Sequence, residues 1–436
     1  MEPERPMQPS KKTSRRNFIS KTGKLAAAGA IGAGLQPSPT FGFHNSVNEK
    51  LKIGLIGCGG RGTGAVMNAI NADSNSEVWA LADAFMDRID SCERSLKGQL
   101  KERYAVAQDH KFDGIDCHQK LCKTDVDVVL LATPPYFRPM QLKSAVAADK
   151  HVFCEKPVGV DVPGVKSVLE SCKLAQAKGL SIVSGLCWRY DVSVKEMIGR
   201  IKDGAIGEIK SIQENYLAGT LWHRGKKEEW SPMEYQLRNW LYFNWLSGDH
   251  IAEQHIHSLD KALWLMDDVP PKSCYATGGR LVRTGEQWGN VYDHFATVYD
   301  WKDSDVKTFA QCRQMADCYN NTEDYVVGTE GSARILKAEI TNELGKQSHK
   351  IKGKPSMYDV EHQHLFRSIR EGNPINDGTY MSYSTLMALM GREAAYTGKK
   401  VEWKDFMESK KVLGPDDVFM ADDYEPDPVA MPGGKW

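Results

Sequence analysis

None of the ten cysteines (58, 92, 117, 122, 154, 172, 187, 274, 312 and 318) stands in a C-x-x-C pair or at zinc-ribbon spacing, which excludes the common thiolate metal modules. Several sit in apolar runs typical of buried free thiols, so most are expected to be structural, with a Cys312–Cys318 bridge left open. Excess charge is also missing. The formal net charge is -1, and beyond the N-terminal segment no long basic block occurs, so the electrostatic footprint of a nucleic-acid partner is absent. The mild Ala/Gly stretch from Leu25 to Leu35 is less apolar than a spanning helix needs, so no stable membrane anchor is expected. What remains is a soluble globular chain of 436 residues, 41% of them hydrophobic, long enough to bury a sizeable core and to favour two domains.

Glycine is the residue the chain does not lack. The run Leu51-Lys52-Ile53-Gly54-Leu55-Ile56 reads as a buried strand, and it breaks into Gly57-Cys58-Gly59-Gly60-Arg61-Gly62. Gly57, Gly59 and Gly62 satisfy G-x-G-x-x-G, in which the first glycine makes the turn, the second admits a pyrophosphate close to the backbone and the third lets helix pack on strand. The following helix would point its N–H groups at the phosphates, with Gly60 and Arg61 in the same turn. A second strand, Glu77 to Ala82, ends in Asp83, about 20 residues past the turn, where a carboxylate accepts both ribose hydroxyls of NAD. A third strand, Val126 to Ala132, runs into Thr133-Pro134-Pro135. These spacings identify NAD as the cofactor.

The expected organisation follows in four pieces. Residues 1–48 hold Arg15-Arg16 with Phe18, resemble a twin-arginine export signal with its linker, and stand outside the fold. That route exports folded proteins to the periplasm, so the cofactor should be acquired in the cytosol and held tightly. Residues 49–184 read as a doubly wound parallel α/β sheet, with Phe85 to Lys123 helical and polar. Residues 185–405 form a second α/β domain, with strand candidates at Ile209 to Tyr216, Ser273 to Val282, Asn290 to Tyr299, Lys307 to Cys312 and Tyr325 to Gly328, and a last helix from Tyr380 to Thr397. Residues 406–436 make an acidic, proline-bearing arm that is loose or wrapping.

Gly57 with its turn, Asp83, Thr133-Pro134 and Glu155-Lys156-Pro157 at a strand end together resemble the Gfo/Idh/MocA oxidoreductases, over about residues 50 to 405. The resemblance implies a Rossmann domain followed by a large open, mostly antiparallel sheet that in relatives often forms the subunit interface, hence a homo-oligomer. It places Thr133, Pro134, Glu155 and Lys156 at the cofactor. It also aligns His257 with the family histidine and Glu253 with an aspartate, a departure that moves the charge by one methylene. Arg138, near where relatives often have histidine, is a further departure.

On a continuous helix Glu253, His257, Asp260 and Trp264 would share one face. Oxidising a hydroxyl requires removal of its proton as the hydride leaves, which suits a histidine. His257 is therefore read as the base, Lys156 as the cation on the substrate oxygen, and Glu253 as the group that orients them. His255 is read as a substrate residue; it lies two positions from His257 and cannot share its helical face, so no metal site is assigned. Trp222, Trp230, Trp240 and Trp245, interleaved with His223, Arg224 and Arg238, resemble a carbohydrate pocket together with Arg189 and Tyr190. The reading is a sugar, glycoside or cyclitol oxidoreductase. Its rivals are a redox-neutral glycosidase working through a transient 3-keto sugar, and a sugar-binding protein without activity. Replacing Arg15 and Arg16 by lysines should leave the protein in the cytoplasm on cell fractionation; normal periplasmic appearance of that variant would show that another route is used.

Overall fold

Strand β1 (Leu51–Ile56) is apolar and buried except at Lys52 near its start, because it is covered on both faces, as expected at the centre of a parallel sheet. The computed structural model of the chain describes residues 49–434, and the export segment expected over 1–48 lies outside the described residues. Around β1 lie β2 (Ser76–Asp83), β3 (Lys111–Asp113), β4 (Val128–Leu131), β5 (His151–Cys154) and β6 (Ile182–Ser184), in the order β3-β2-β1-β4-β5-β6, all parallel. The order reverses between β1 and β4, which opens a crevice beyond their carboxyl ends. Gly57, Asp83, Thr133 and Glu155 all stand at these strand ends.

Side chains alternate across the sheet. Val129, Leu131 and Val152 pack with Leu142 and Val165 of the helices Arg138–Ala147 and Val162–Ala177. Ile53, Leu55, Leu130 and Phe153 pack with Val66, Ile89 and Leu96 of the helices Gly60–Ala72 and Met86–Leu100. The same cluster takes in Leu365, Phe366 and Ile369 from the helix Met357–Arg370. This helix was not anticipated. It contributes to the nucleotide-binding core from far down the chain, within the stretch assigned by sequence to the second domain.

The second sheet comprises β7 (Ile209–Ala218), β8 (Ser273–Gly279), β9 (His294–Asp300), β10 (Lys307–Gln314), β11 (Asn321–Gly328), β12 (Gly331–Arg334), β13 (Glu339–Asn342), β14 (Gly345–Ser348) and β15 (Val401–Glu402). Its order is β14-β13-β12-β11-β7-β10-β9-β8-β15, antiparallel except for β7 beside β10. Thr308, Ala310, Cys312 and Gln314 of β10 face inward, while Lys307, Phe309 and Gln311 face out. The helix Gly378–Thr397 covers the inner face, and Tyr299 donates its hydroxyl proton to the Met387 carbonyl at 3.1 Å.

Several local expectations change. Phe85 to Lys123 is not wholly helical, since it contains edge strand β3, and β12 to β14 escaped notice because such short polar strands carry no apolar alternation. Cys312 and Cys318 are both free thiols, and the remaining cysteines are buried and free as well. The C-terminal arm wraps: Tyr136 donates to the Pro415 carbonyl, Gln236 to that of Tyr424, Asn290 to that of Asp427 and Tyr292 to that of Ala430. Among the described residues no helix is long and apolar enough to cross a membrane.

Phe366 is 1% exposed. Phe366→Ala should therefore lower stability by about 3–5 kcal/mol in urea unfolding. A loss below about 1 kcal/mol would mean that the helix contributes little to that core.

Candidate active site

The glycine turn is forced by contact. Gly57 has φ +102°, and a Cβ there would lie 2.6 Å from the Ala132 carbonyl carbon. A Cβ on Gly62 would lie 1.9 Å from the Gly57 oxygen, so only glycine lets the helix pack this closely on the strand. A Cβ on Gly59 or Gly60, by contrast, would meet nothing within 4 Å. Gly59 precedes the helix Gly60–Ala72 and places no side-chain cap on its first N–H groups, which leaves them facing open space suited to a pyrophosphate.

Asp83 accepts hydrogen bonds from the N–H groups of Cys58 (2.7 Å) and Phe85 (3.0 Å). Burial pushes its carboxyl up to about 6, against the lowering effect of those two bonds. Gly59, Asp83, Thr133 and Pro134 line an open cleft of about 740 Å³. The Thr133 hydroxyl donates to Gln141 at 2.6 Å. A backbone open at Gly59, a free helix N-terminus and an acid at the ribose position fit the adenosine and pyrophosphate of NAD.

A second cavity of about 700 Å³ adjoins the first, with Ala132, Thr133 and Trp240 lining both. It brings together Arg61, Glu155, Lys156, Glu253 and His257, with Tyr358 and Arg138 on its wall. The Lys156 ammonium is 3.0 Å from the Glu253 carboxylate and also donates to the Glu253 carbonyl. Burial works against this charge, but the Glu253 and Glu155 carboxylates outweigh it and hold the lysine pKa above its ordinary value. Burial pushes His257 the opposite way, well below an ordinary histidine, and the cations Lys156, Lys261 and Arg61 add to the effect. Lys156 is thus charged and His257 neutral.

The continuous helix expected through this motif is broken. Glu253 ends the helix His250–Glu253, and His257 lies in Ile256–Leu265, so the two meet at the cavity across an interruption at Gln254 and His255. Asp260 and Trp264 leave the site: Asp260 accepts from Arg189 at 2.9 Å, and Trp264 lies 4.9 Å beneath the same guanidinium.

The substrate residues expected from sequence are placed elsewhere. Arg189 is buried between Asp260 and Asp268, a structural anchor. Tyr190 donates to Asp377 at 2.5 Å. His255 is wholly buried with both ring nitrogens unpartnered, its pKa lowered to about 3 by burial and by His250 and Lys261. His223 bonds the Tyr235 hydroxyl and the Gln287 carbonyl, and Trp222 is an exposed neighbour of Arg224 and Trp240. None of these five lines either cavity.

Arg61, expected at the cofactor, is held between Glu155 and Glu361, the latter at 2.8 Å. Burial raises the Glu361 carboxyl well above the usual carboxylate range, only partly opposed by Arg61. Glu361 and Tyr358 had no local signal in the sequence. Arg138 was flagged only as a departure; it is buried and donates to the carbonyls of Leu131 and Thr133.

The glycine-turn cleft beside the Lys156 cavity is that of an NAD-binding Rossmann domain. Comparison with known proteins agrees. Residues 51–182 match the model described as the oxidoreductase family with NAD-binding Rossmann fold, and 194–334 match the GFO/IDH/MocA C-terminal domain. The chain belongs to the Gfo/Idh/MocA family. It is 28% identical over 221 residues to 2,7-anhydro-N-acetylneuraminate hydratase of Escherichia coli, an alignment covering 50% of this chain and 54% of that protein, so the chain spans about half the length of this curated relative. It is 27% identical over 334 residues to myo-inositol 2-dehydrogenase of Thermotoga maritima, covering 74% of this chain and 90% of the relative. The structure of scyllo-inositol dehydrogenase from Lactobacillus casei with bound NAD(H) and scyllo-inositol superposes with a TM-score of 0.62 at 20% identity, over 81% of this chain and 99% of that one, a likeness of fold.

Asp83 should repel a 2′-phosphate when ionised. Asp83→Ala should narrow the ratio of NADP to NAD dissociation constants. With its pKa near 6, the wild-type ratio should be larger at pH 8 than at pH 5.5. NADP binding to the wild type as tight as NAD at pH 8 would remove Asp83 from this role.

Proposed function

We propose that the protein is an NAD-dependent oxidoreductase acting on a hydroxyl of a sugar, glycoside or cyclitol, with a tightly held cofactor. The observation that carries this reading is the meeting of Lys156, Glu253 and His257 in one cavity adjoining the dinucleotide cleft. NAD, when bound, supplies the hydride acceptor. Lys156, kept cationic by Glu253, hydrogen-bonds the substrate oxygen and stabilises it as its proton leaves. His257 is neutral and accepts that proton, becoming an imidazolium, while the charge of Lys156 stabilises the negative charge that develops on the oxygen. Trp240 offers a flat apolar face of the kind that packs on sugar C–H groups. Export to the periplasm by the twin-arginine route and association through the outer face of the second sheet complete the proposal.

A second reading is redox-neutral chemistry, in which transient oxidation to a 3-keto sugar acidifies C2–H, allows elimination and is then reversed. The hydratase relative favours it, since addition of water leaves no net oxidation. Turnovers per bound NAD with a free polyol and with a glycoside separate the two readings: many turnovers on a glycoside alone favour the second.

Lys156→Ala and His257→Ala should each keep bound NAD, yet lose on the order of 10² or more in the rate of cofactor reduction in a single turnover. The His257→Ala deficit should shrink as pH rises, because hydroxide replaces a missing base, whereas the Lys156→Ala deficit should not. Because the His257 pKa is lowered, its basic form persists into mildly acidic solution, so the wild-type acid limb should fall well below the ordinary histidine value of about 6.5. Near-normal reduction by His257→Ala would move the search for a base elsewhere.

A further inference from the structure

Part of the tryptophan-rich segment 219–247 faces the dinucleotide cleft. There Arg224, Leu237, Arg238 and Trp240 line the wall together with Asp83 and Phe85 from the end of β2. One contact fastens it there. The Arg238 guanidinium lies 3.9 Å over the Phe85 ring, donates twice to the Asp87 carboxylate at 3.0 and 3.2 Å, and is steadied on its own helix by Glu234 at 2.7 Å. From behind, the C-terminal arm supports the segment: Ser231 donates to the Met420 carbonyl, the Met233 N–H to that of Asp422 and Gln236 to that of Tyr424.

Arg224 is different. It packs 4.5 Å over Trp222, faces the like charges of Arg88 and Arg238, and has no carboxylate within ion-pairing distance among the described residues. With Arg238 already neutralised by Asp87 and Glu234, Arg224 stands on the cleft wall as a guanidinium without a carboxylate partner among the described residues, and the phosphates of a bound dinucleotide are anions this cleft would receive.

We propose that residues 219–247 form the outer wall of the dinucleotide site: Arg224 gives a cation to the cofactor phosphates, Trp240 covers the junction of the two cavities, and Arg238 latches the wall to Phe85 and Asp87. A bound dinucleotide then leaves only when the Arg238 latch opens, so the cofactor is returned to its starting state in place. This inference rests on the NAD reading of the cleft and on no choice of substrate.

The test uses the full chain purified with isotope-labelled NAD and chased with excess unlabelled NAD, with no substrate present, so a wrong sugar assignment leaves it unaffected. Arg238 is a positioning residue. Arg238→Ala should raise the release rate about tenfold, and Arg238→Lys should not restore it, because an ammonium lacks the planar fork that stacks and binds a carboxylate in two places. Asp87→Asn, a change at an exposed residue, should raise release roughly threefold at low salt and less at high salt. Arg224→Ala should weaken NAD binding roughly tenfold, with partial recovery in Arg224→Lys. If Arg238→Ala does not fold, Asp87→Asn decides: faster release supports the latch and wild-type release overturns it. Wild-type release from a folded Arg238→Ala protein, or wild-type affinity in Arg224→Ala, would also overturn the proposal.

Discussion

The ion pair between Lys156 and Glu253 joins the two halves of the molecule at the point where chemistry would occur. Lys156 follows the end of β5 in the nucleotide-binding sheet, and Glu253 closes a short helix that lies between β7 and β8 of the second sheet. Their side chains are 13% and 16% exposed, so both have lost most of their water. Removing either partner would leave the other as an uncompensated charge in a poorly solvated cavity, a situation that costs several kcal/mol. The pair therefore constrains how the halves meet and keeps the lysine charged where a substrate oxygen would need it.

The surrounding charges extend this logic. Arg61 lies between Glu155 and Glu361, so the helix Met357–Arg370 is tied to the glycine turn by the hydrogen bond Arg61 donates to Glu361 as well as by its apolar face. Behind the cavity Lys261 donates to the His257 carbonyl at 2.7 Å and pairs with Asp324 at 3.1 Å. Asp324 faces Glu214 across β11 and β7, and burial first, then Asp324, push the Glu214 carboxyl well above the ordinary range. Cations on several sides of His257 make its protonation costly, whereas the carboxylates sit where they compensate lysine or arginine. The result is a neutral imidazole beside a fixed positive charge: the ring keeps a lone pair for a proton, and the lysine would stabilise a developing alkoxide.

The aromatic segment shows how an apparent substrate motif acquires another role. Trp245 is buried and donates to Gln236 at 2.9 Å, and Tyr242 donates to the Trp222 carbonyl at 2.8 Å, so most of these rings hold the segment together. Among the described tryptophans, Trp240 alone lines both cavities. A wall built from the second half of the chain and backed by the C-terminal arm lets the dinucleotide site be closed by residues that no glycine motif predicts.

The family resemblance pointed to Lys156, Glu253 and His257, which only folding brings into one cavity, whereas by itself the sequence determined the parallel sheet, the glycine turn and Asp83. Each is written in local pattern: apolar runs covered on both faces, glycines that only a close helix-to-strand approach requires, and short motifs at strand ends. Tertiary structure alone decided that Arg189, Tyr190 and His255 are buried away from the cavity, because Arg189 has Asp260 and Asp268 to neutralise it and Tyr190 has Asp377. It also broke the helix at Gln254, brought Glu361 to Arg61 from 300 positions along the chain, and placed Arg238 on Phe85. Such contacts depend on which faces meet after folding, and charge pairing between distant residues leaves no periodicity in the chain for a single sequence to reveal.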